Sequence, residues 1–347
     1  MKILVTGGAG FIGSNLVDAL CNQGEKVLVI DSLDPGVFQA CPAYLNPKAE
    51  YCFSDLRYWV PDARFADVEC VVHLAALGGV SRAAKQTENV ITSNCGGTAK
   101  LVEWAHTAAK LRKFVLASSF SVYGSGYQYH CPRCDLTRDA ARREDDLQKG
   151  RFEVYCRKCG GETRIVPITT AAHPSPLEIY GASKYMQELC LLGMQDVDVT
   201  VLRFSSVYGD RLRLDDGEAT IIAKLAGWIR DGSPPQLFED GKQIRDWVFV
   251  GDLVQAVLRL AAGRQAPRVV NVCSGQPTTL VEACQILARV MDRNVEPVVK
   301  GGYRPGDMRH CLGDAAEFAQ LLESTPMTFA QGAATVFGRK AGAGGAV

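Results

Sequence analysis

Tyr180 and Lys184, in the segment Tyr180-Gly-Ala-Ser-Lys184, combine residue types and a spacing that suit proton transfer. Residues four apart on an α-helix lie on one face, so a helix here would direct both side chains into one pocket. An ammonium group beside a phenol favours the phenolate and lowers the phenol pKa from its ordinary value of about 10. The pair is therefore predicted to act as a general acid/base and its partner, although any helix can carry Tyr and Lys at this spacing.

A glycine-rich loop near the start of the chain predicts a nucleotide site. The loop reads Gly7-Gly8-Ala9-Gly10-Phe11-Ile12-Gly13. It follows the apolar run Lys2–Thr6 and precedes a helical pattern and a second run, Lys26–Ile30, that ends in Asp31. Glycines let the backbone turn tightly beneath a pyrophosphate at a helix N-terminus. Asp31 is placed to accept a hydrogen bond from a ribose 2′-hydroxyl and would repel a 2′-phosphate, so the sequence favours NAD over NADP.

Further apolar runs alternate with helix-like segments, at 69–74, 113–117 and 199–204. This alternation predicts a Rossmann-type, doubly wound parallel sheet with helices on both faces, an α/β fold. Because 347 residues exceed what one core usually supports, a smaller C-terminal substrate lobe is expected. Asp55, which lies in the run 52–56 with Leu56, is placed to reach an adenine; a solvated turn carboxylate is the alternative.

Composition excludes several classes of protein. Thirty-eight basic and 38 acidic residues leave no formal net charge, so no whole-molecule field attracts nucleic acid or an anionic membrane. No apolar run approaches the roughly 20 residues of a membrane-spanning helix. The N-terminus enters a strand at once, without the apolar stretch of a signal peptide. We therefore expect a cytoplasmic protein without nucleic-acid or membrane partners.

Two Cys-x-x-Cys pairs predict a metal site in an insert at 126–165. Cys131 and Cys134 are separated by 21 residues from Cys156 and Cys159. This spacing is typical of a zinc ribbon, in which four thiolates fill a tetrahedral site and leave no position for water. Zinc is therefore expected to be structural; two disulfides or four unrelated thiols are the alternatives. Nine basic and seven acidic residues between 131 and 165 give only a weak electrostatic footprint for nucleic acid.

With these residues in hand, the sequence resembles the extended short-chain dehydrogenase/reductase family, in its NAD-dependent epimerase/dehydratase group acting on nucleotide sugars. The resemblance spans about residues 1–330. The motifs that carry it, in the family's order, are Gly7-x-x-Gly10-x-x-Gly13, Val72-His73-Leu74-Ala75-Ala76, Asn94-x-x-Gly97-Thr98, Ser118-Ser119-Phe120-Ser121-Val122-Tyr123-Gly124 and Tyr180-x-x-x-Lys184. Within the group the chain, insert included, is most similar to the dTDP-L-rhamnose 4-epimerases.

The resemblance implies a role for each matching residue. Ser119 matches the catalytic hydroxyl, with Ser118 and Ser121 as alternatives, beside Tyr180 and Lys184. The residues implied to hold NAD are Gly7, Gly10, Phe11, Ile12, Gly13, Asp31, Asp55, Leu56, Leu74, Ala75, Ala76, Asn94, Tyr180 and Lys184. Those implied to hold the dTDP- or UDP-linked substrate are Ser119, Ser206, Arg245 and Arg304. Ser206 stands where the family usually has Asn, and guanidinium groups suit bidentate phosphate binding. A homodimer is also implied.

Domain boundaries follow from the same comparison of motifs. Residues 1–125 and 166–205 are expected to form the NAD-binding domain, with the insert at 126–165 between them. Residues 206–338 are expected to belong mostly to the substrate lobe, with some segments returning to the NAD-binding domain. The small-residue stretch 339–347 is expected to be a flexible tail.

The resemblance points to 4-epimerisation, because the chain lacks the acidic groups that other reactions of the family use. Family members that eliminate water have Asp-Glu directly after the catalytic hydroxyl, and decarboxylases tend to have a Glu there; this chain has Phe120 and Ser121. A 4-epimerase needs no such group, because the 4-keto sugar rotates and receives the hydride on its other face. The alternatives are an NAD(P)-dependent 4-ketoreductase or a dehydratase, and, outside enzymes, an NAD-binding redox sensor that uses the zinc ribbon to contact a partner.

Overall fold

The structure, a computed structural model, describes residues 1–214, 220–304 and 307–338. The strands are β1 (Lys2–Thr6), β2 (Lys26–Asp31), β3 (Glu50–Phe53), β4 (Cys70–His73), β5 (Lys113–Ser119), β6 (Gln128–Cys131), β7 (Leu136–Asp139), β8 (Arg164–Val166), β9 (Asp198–Phe204), β10 (Ser206–Tyr208), β11 (Gln236–Leu237), β12 (Ile244–Phe249), β13 (Val269–Val272), β14 (Pro277–Thr279) and β15 (Val298–Val299).

The helices are α1 (Phe11–Asn22), α2 (Val80–Lys85), α3 (Thr87–Ile91), α4 (Gly97–Ala105), α5 (Glu144–Gln148), α6 (Ile179–Leu192), α7 (Ile221–Arg230), α8 (Val250–Ala261), α9 (Leu280–Val290), α10 (Ala316–Leu322) and α11 (Phe329–Phe337). A π-helical turn at Thr92–Gly96 leads into α4, and short 3₁₀ turns lie at Ala63–Phe65 and Phe120–Tyr123.

The largest sheet joins seven strands of the described chain in the order β13-β9-β5-β4-β1-β2-β3. All pairings within it are parallel. Ile3 and Val5 of β1 face one apolar cluster, with α1 and α8, whereas Leu4 faces a second cluster on the opposite side. Alternate residues are thus buried on both faces, as a doubly wound sheet requires. The predicted α/β Rossmann-type fold is confirmed.

The order of the strands reverses between β1 and β4, so their carboxyl ends open a crevice where ligands bind in such sheets. The predicted apolar runs became strands: β2, β4, β5 and β9 overlap them closely. β5 extends further than predicted and includes Ser118 and Ser119. The two serines therefore stand at the carboxyl end of the strand, at the rim of the crevice.

A smaller lobe packs α7, α9 and α11 around its own apolar cluster. Its sheet pairs β10 with β12 in parallel and β12 with β14 antiparallel. Other C-terminal segments return to the large sheet, since β13 pairs with β9 and α8 packs on α1. The predicted tail at 339–347 lies outside the described residues.

The insert forms a three-stranded antiparallel sheet in the order β7-β6-β8. Its small core gathers Tyr127, Tyr129, Ala140 and Val154, with Ile165 packed against it. Across the described residues, no helix has both the length and the apolar character to cross a membrane.

Candidate functional site

Helix α6 carries both Tyr180 and Lys184 at its N-terminal end. Glu178 caps the helix: its carboxylate accepts hydrogen bonds from the backbone N–H groups of Tyr180 and Gly181, both at 2.7 Å. The Lys184 ammonium is buried and donates to the carbonyl oxygen of Ala117 in β5 at 2.8 Å. Tyr180 is partly exposed at the edge of the crevice. The predicted pair thus lies on one helix beside the end of β5.

Three serines lie close to the end of β5: Ser118 and Ser119 within the strand, and Ser121 in the 3₁₀ turn that follows. Of the three, Ser119 interacts with Tyr180 and opposes the rise of its pKa. The Ser118 hydroxyl instead donates to the buried carboxylate of Glu188 at 2.5 Å. The Ser121 hydroxyl is hydrogen-bonded to Glu178. The structure therefore brings Ser119 together with Tyr180 and Lys184, and gives Ser118 and Ser121 other partners.

The prediction that the Tyr180 pKa is lowered is wrong, because the surroundings of Tyr180 raise its pKa. Burial, with a further contribution from the Glu178 carboxylate, raises the Tyr180 pKa to about 12, against an opposing hydrogen bond from Ser119. Burial also lowers the pKa of Lys184 to about 8, opposed by the Glu188 charge. The ammonium is held by a backbone carbonyl rather than by the phenol. The phenol is consequently protonated at neutral pH, and the base form needs another source of positive charge.

A buried ionic network below the site was missed by the sequence analysis. Arg203 pairs with Glu188 at 2.6 Å, and both side chains are almost fully buried. Arg203 also donates to the hydroxyl of Tyr123 at 2.8 Å. Glu188 lies one turn beyond Lys184, as Lys184 does beyond Tyr180, and this repeated spacing is the sequence signal that could have revealed it. The network fixes Glu188, whose charge favours the protonated form of Lys184.

Close packing aligns α6 with β5. A Cβ atom at Gly181 would lie 2.5 Å from the Ser121 carbonyl oxygen, so only glycine permits this approach. Asn94 accepts from the Leu77 amide at 2.7 Å and donates to the Ser183 hydroxyl at 3.0 Å. Asn94 is fully buried. It therefore ties α6 to the loop after β4 and positions the site, and its predicted contact with a cofactor stays a prediction.

The glycine loop forms the floor of the crevice, at the N-terminus of α1. A Cβ atom at Gly13 would overlap the Gly7 carbonyl oxygen, which explains why the helix can pack so closely on the turn. The N-cap of α1 is Gly10, and no side chain caps it among the described residues. The amides of Phe11 and Ile12 begin the helix, where an anion is favoured.

Asp31 lies at the carboxyl end of β2 beside this loop. One carboxylate oxygen accepts from the Ala9 amide and the other from the Leu33 amide, each at 2.9 Å. Burial raises the Asp31 pKa, and these hydrogen bonds oppose the rise. Two lone pairs stay available to a sugar hydroxyl.

The other predicted cofactor residues differ in their surroundings. Leu74, Ala75 and Ala76 follow β4 and are partly exposed, with the Ala75 amide bonded to the Thr6 hydroxyl at 3.2 Å. Leu56 is buried. Both Asp55 oxygens are taken up by the guanidinium of Arg57, the nearest pair at 2.6 Å. Asp55 thus pairs with Arg57 in the turn after β3, and its predicted contact with an adenine stays a prediction.

The predicted substrate residues lie on the smaller lobe. Ser206 is partly exposed on β10, paired in register with Trp247 of β12. Arg245 is half-buried and donates to the carbonyl oxygens of Arg309 and Met308 at 3.1 and 3.2 Å. Arg304 is exposed and stacks its guanidinium over the ring of Phe238, 4.3 Å from the centroid. Residues 305 and 306, which follow Arg304 in the chain, lie outside the described residues.

The four insert cysteines converge on one point. Their sulfur atoms all lie within 4.8 Å of one another. Cys131 and Cys159 are 3.6 Å apart, and Cys134 and Cys156 are 3.9 Å apart, sulfur to sulfur. All four are free thiols. A tetrahedron with metal–sulfur bonds of about 2.3 Å places its sulfurs about 3.8 Å apart, so this donor set fits zinc.

A family model described as the NAD dependent epimerase/dehydratase family matches residues 3–273. The chain belongs to this NAD-dependent epimerase/dehydratase family. A dTDP-L-rhamnose 4-epimerase of Burkholderia thailandensis is 30% identical over 329 residues, 91% of this chain and 88% of that protein. A putative UDP-glucose 4-epimerase of Methanocaldococcus jannaschii is 31% identical over 82% of this chain and 81% of that protein.

The solved structures include a UDP-glucose 4-epimerase of Thermotoga maritima with UDP-glucose. It superimposes with a TM-score of 0.76 at 27% identity and covers 97% of each chain. The family membership inferred from the sequence motifs is confirmed. The chain is accordingly an NAD-dependent enzyme of the epimerase/dehydratase type.

Proposed function

We propose that this epimerase/dehydratase family member is a nucleotide-sugar 4-epimerase that oxidises its substrate transiently at C4, with a dTDP-linked 6-deoxyhexose such as dTDP-L-rhamnose as substrate. The observation that carries the proposal is the convergence of Ser119, Tyr180 and Lys184 at the end of β5, beside the crevice floored by the glycine loop.

NAD fits the crevice. The uncapped N-terminus of α1, with the Phe11 and Ile12 amides, would hold the pyrophosphate, and Asp31 would hold the adenosine ribose. The bound cofactor supplies a hydride acceptor and donor together with a positively charged ring. A positive charge beside the phenol favours the phenolate and so lowers the Tyr180 pKa, whereas burial raises it.

Tyr180 is the residue that moves the proton. In its phenolate form, Tyr180 takes the proton of the sugar C4 hydroxyl as that carbon is oxidised, and returns it when C4 is reduced from the opposite face. Ser119, which interacts with the phenol, holds the same sugar oxygen. The Lys184 ammonium, anchored on the Ala117 carbonyl, orients the ribose next to the reacting atoms.

Residues around the site favour epimerisation over elimination. Phe120 is buried, and the Ser121 hydroxyl is bonded to Glu178. Glu178 is the nearby carboxylate, yet its two oxygens accept the first amides of α6. A carboxylate engaged in this way is poorly placed to take a proton from the C5 position of a sugar. A 4-ketoreductase would use the same three residues, so the assay must separate the two reactions.

Incubation of the protein with dTDP-L-rhamnose, followed by NMR of the sugar protons, tests the proposal. We expect conversion to the C4 epimer without net consumption of NAD, and slower conversion of UDP-glucose. The dTDP preference is supported by the 30% identical Burkholderia protein, whereas the Methanocaldococcus and Thermotoga proteins are named for UDP-glucose. Stoichiometric oxidation of NADH or NADPH would instead indicate a ketoreductase. Bound NAD without conversion of any nucleotide sugar would favour a sensor.

Structural zinc in the insert is part of the proposal. Cys131, Cys134, Cys156 and Cys159 would supply all four ligands, so the ion has no open position for a substrate. We assign the NAD-binding domain to 1–125 and 166–205, the ribbon to 126–165 and most of the substrate lobe to 206–338.

A homodimer through α6 is also proposed. Met186 and Leu189 on this helix are 48% and 49% exposed, and Ile91 of α3 is 44% exposed. Apolar side chains clustered on one helix face suit an interface. The double substitution Met186→Glu with Leu189→Glu is expected to convert a dimer into a monomer, read by light scattering. Val60→Glu, at a 74% exposed apolar residue elsewhere, is the matched control. A wild-type protein that is already monomeric would refute the dimer.

A further inference from the structure

The zinc-ribbon insert touches the substrate lobe through charged side chains, one pair of which is buried. Arg142 pairs with Glu239 at 2.5 Å, and the two side chains are only 8% and 3% exposed. The same guanidinium donates to the backbone carbonyl of Asp307. Arg142 thus contacts two separate segments of the lobe, one at Glu239 and one at Asp307. The Glu239 amide in turn donates to the Gly302 carbonyl at 2.9 Å.

Glu153 makes a second link from the insert. It accepts from the fully buried Arg309 at 2.5 and 2.9 Å, and from His310 at 2.9 Å. Arg309 also pairs with Glu239 and Asp240, both at 2.7 Å. The two links therefore share a partner: Glu239 is held by a guanidinium from the insert and by one from the lobe.

The same lobe segment, 307–310, binds the side chain of Arg245, one of the arginines proposed to contact the substrate. Arg245 donates to the carbonyl oxygens of Met308 and Arg309. The Ile244 amide donates to the free ring nitrogen of His310 at 3.0 Å. His310 is thus in contact with Glu153 of the insert through one ring nitrogen and with the strand carrying Arg245 through the other. Asp307 lies among the charges of Arg304, Arg245 and Arg142.

We propose that Arg142 and Glu153 are positioning residues, through which the insert fixes segment 307–310 and thereby the guanidinium of Arg245 for the diphosphate of the substrate. The inference rests on the proposed function, because it concerns the same substrate site. Without Arg142, the buried Glu239 keeps Arg309 as a partner but the insert no longer contacts the Asp307 carbonyl. Without the Glu153 charge, Arg309 and His310 lose their ionic contact with the insert. Each change therefore loosens the hold of the insert on segment 307–310. The insert is then part of the substrate site without touching the reacting atoms.

The role of the two residues is tested by measuring the Kd of dTDP for the zinc-loaded protein by calorimetry. Arg142→Ala and Glu153→Gln are each expected to raise the Kd by about ten-fold, which corresponds to about 1.4 kcal/mol. KM for the nucleotide sugar should rise in parallel with kcat little changed, since the catalytic groups stay in place. Amide exchange of Ile244 should also become faster. Arg143→Ala is the matched control, because the neighbouring Arg143 side chain is 66% exposed.

Each outcome has a separate meaning. Wild-type protein that binds neither dTDP nor UDP would refute the proposed function itself, and the inference with it. Wild-type protein that binds dTDP while both variants bind it equally well, with unchanged exchange at Ile244, would overturn the inference alone. Glu153→Gln keeps the side-chain volume, so it decides the question if Arg142→Ala does not fold. A zinc content equal to that of wild type shows that the loss does not come from the metal site.

Discussion

Replacing Tyr180 by Phe is expected to lower kcat by about 10²–10⁴-fold, the usual contribution of a positioned general acid/base, while the protein retains NAD. The phenol interacts with Ser119 and is partly exposed at the rim of the crevice, where a sugar hydroxyl would enter. Phenylalanine keeps the ring and its packing but has no group that exchanges a proton. The measurement is single-turnover conversion of the nucleotide sugar, with NAD content determined from the absorbance of the denatured protein.

Tyr185→Phe is the control for this substitution. Tyr185 lies on the same helix but packs against the cluster of Phe120, Val122 and Tyr123. Loss of its hydroxyl should leave kcat within about two-fold, the usual scatter for a change away from the reacting groups. If Tyr180→Phe retained most of its activity, or lost NAD together with activity, the phenol would not be the acid/base.

The fold could be predicted because its signals are local. Each of the five inner strands of the large sheet is a mainly apolar run, and burial on both faces leaves few other solutions for such runs. The edge strands β3 and β13 were not predicted. The glycine loop could likewise be predicted, since the absence of Cβ at Gly13 is what allows α1 to approach the Gly7 carbonyl. The spacing of Tyr180 and Lys184 placed both on α6 as expected.

The ionisation of Tyr180 could not be predicted from that spacing. It depends on which group the Lys184 ammonium contacts, and the contact is the Ala117 carbonyl, 67 residues away in sequence. It also depends on Glu178, a residue type that seldom caps helices, so nothing in the sequence marked it as the cap. Desolvation of the phenolate then exceeds the opposing hydrogen bond from Ser119.

Contacts between the insert and the lobe could not be predicted from the sequence either. Arg142 and Glu239 lie 97 residues apart, and Glu153 lies 156 residues from Arg309. A charge count of the insert treats Arg142 and the exposed Arg143 alike, although only the first is buried in an ion pair with the lobe. The charges that connect the insert to the lobe could be identified only from the tertiary structure.

Cys134→Ser is expected to abolish stoichiometric zinc binding and to unfold the insert. Structural zinc contributes about 10–16 kcal/mol of binding free energy in small zinc domains, and the insert has only the few apolar side chains around Tyr127 and Tyr129 to stabilise it without the ion. Zinc content, measured by mass spectrometry of the metal, should fall from stoichiometric to near zero. Limited proteolysis should then cleave within 126–165. Cys41→Ser, at an exposed cysteine outside the cluster, should change neither.

The same variant separates the possible roles of the insert. If zinc only folds a peripheral loop, Cys134→Ser should leave the affinity for dTDP unchanged, since Arg245 and Arg304 lie on the lobe. If the insert fixes segment 307–310 through Arg142 and Glu153, loss of zinc should weaken dTDP binding about as much as Arg142→Ala does. The effects of the two substitutions should then not add, because both remove the same contact. Retention of zinc by Cys134→Ser, or disulfides found in the wild type, would contradict the four-thiolate site from which this argument starts.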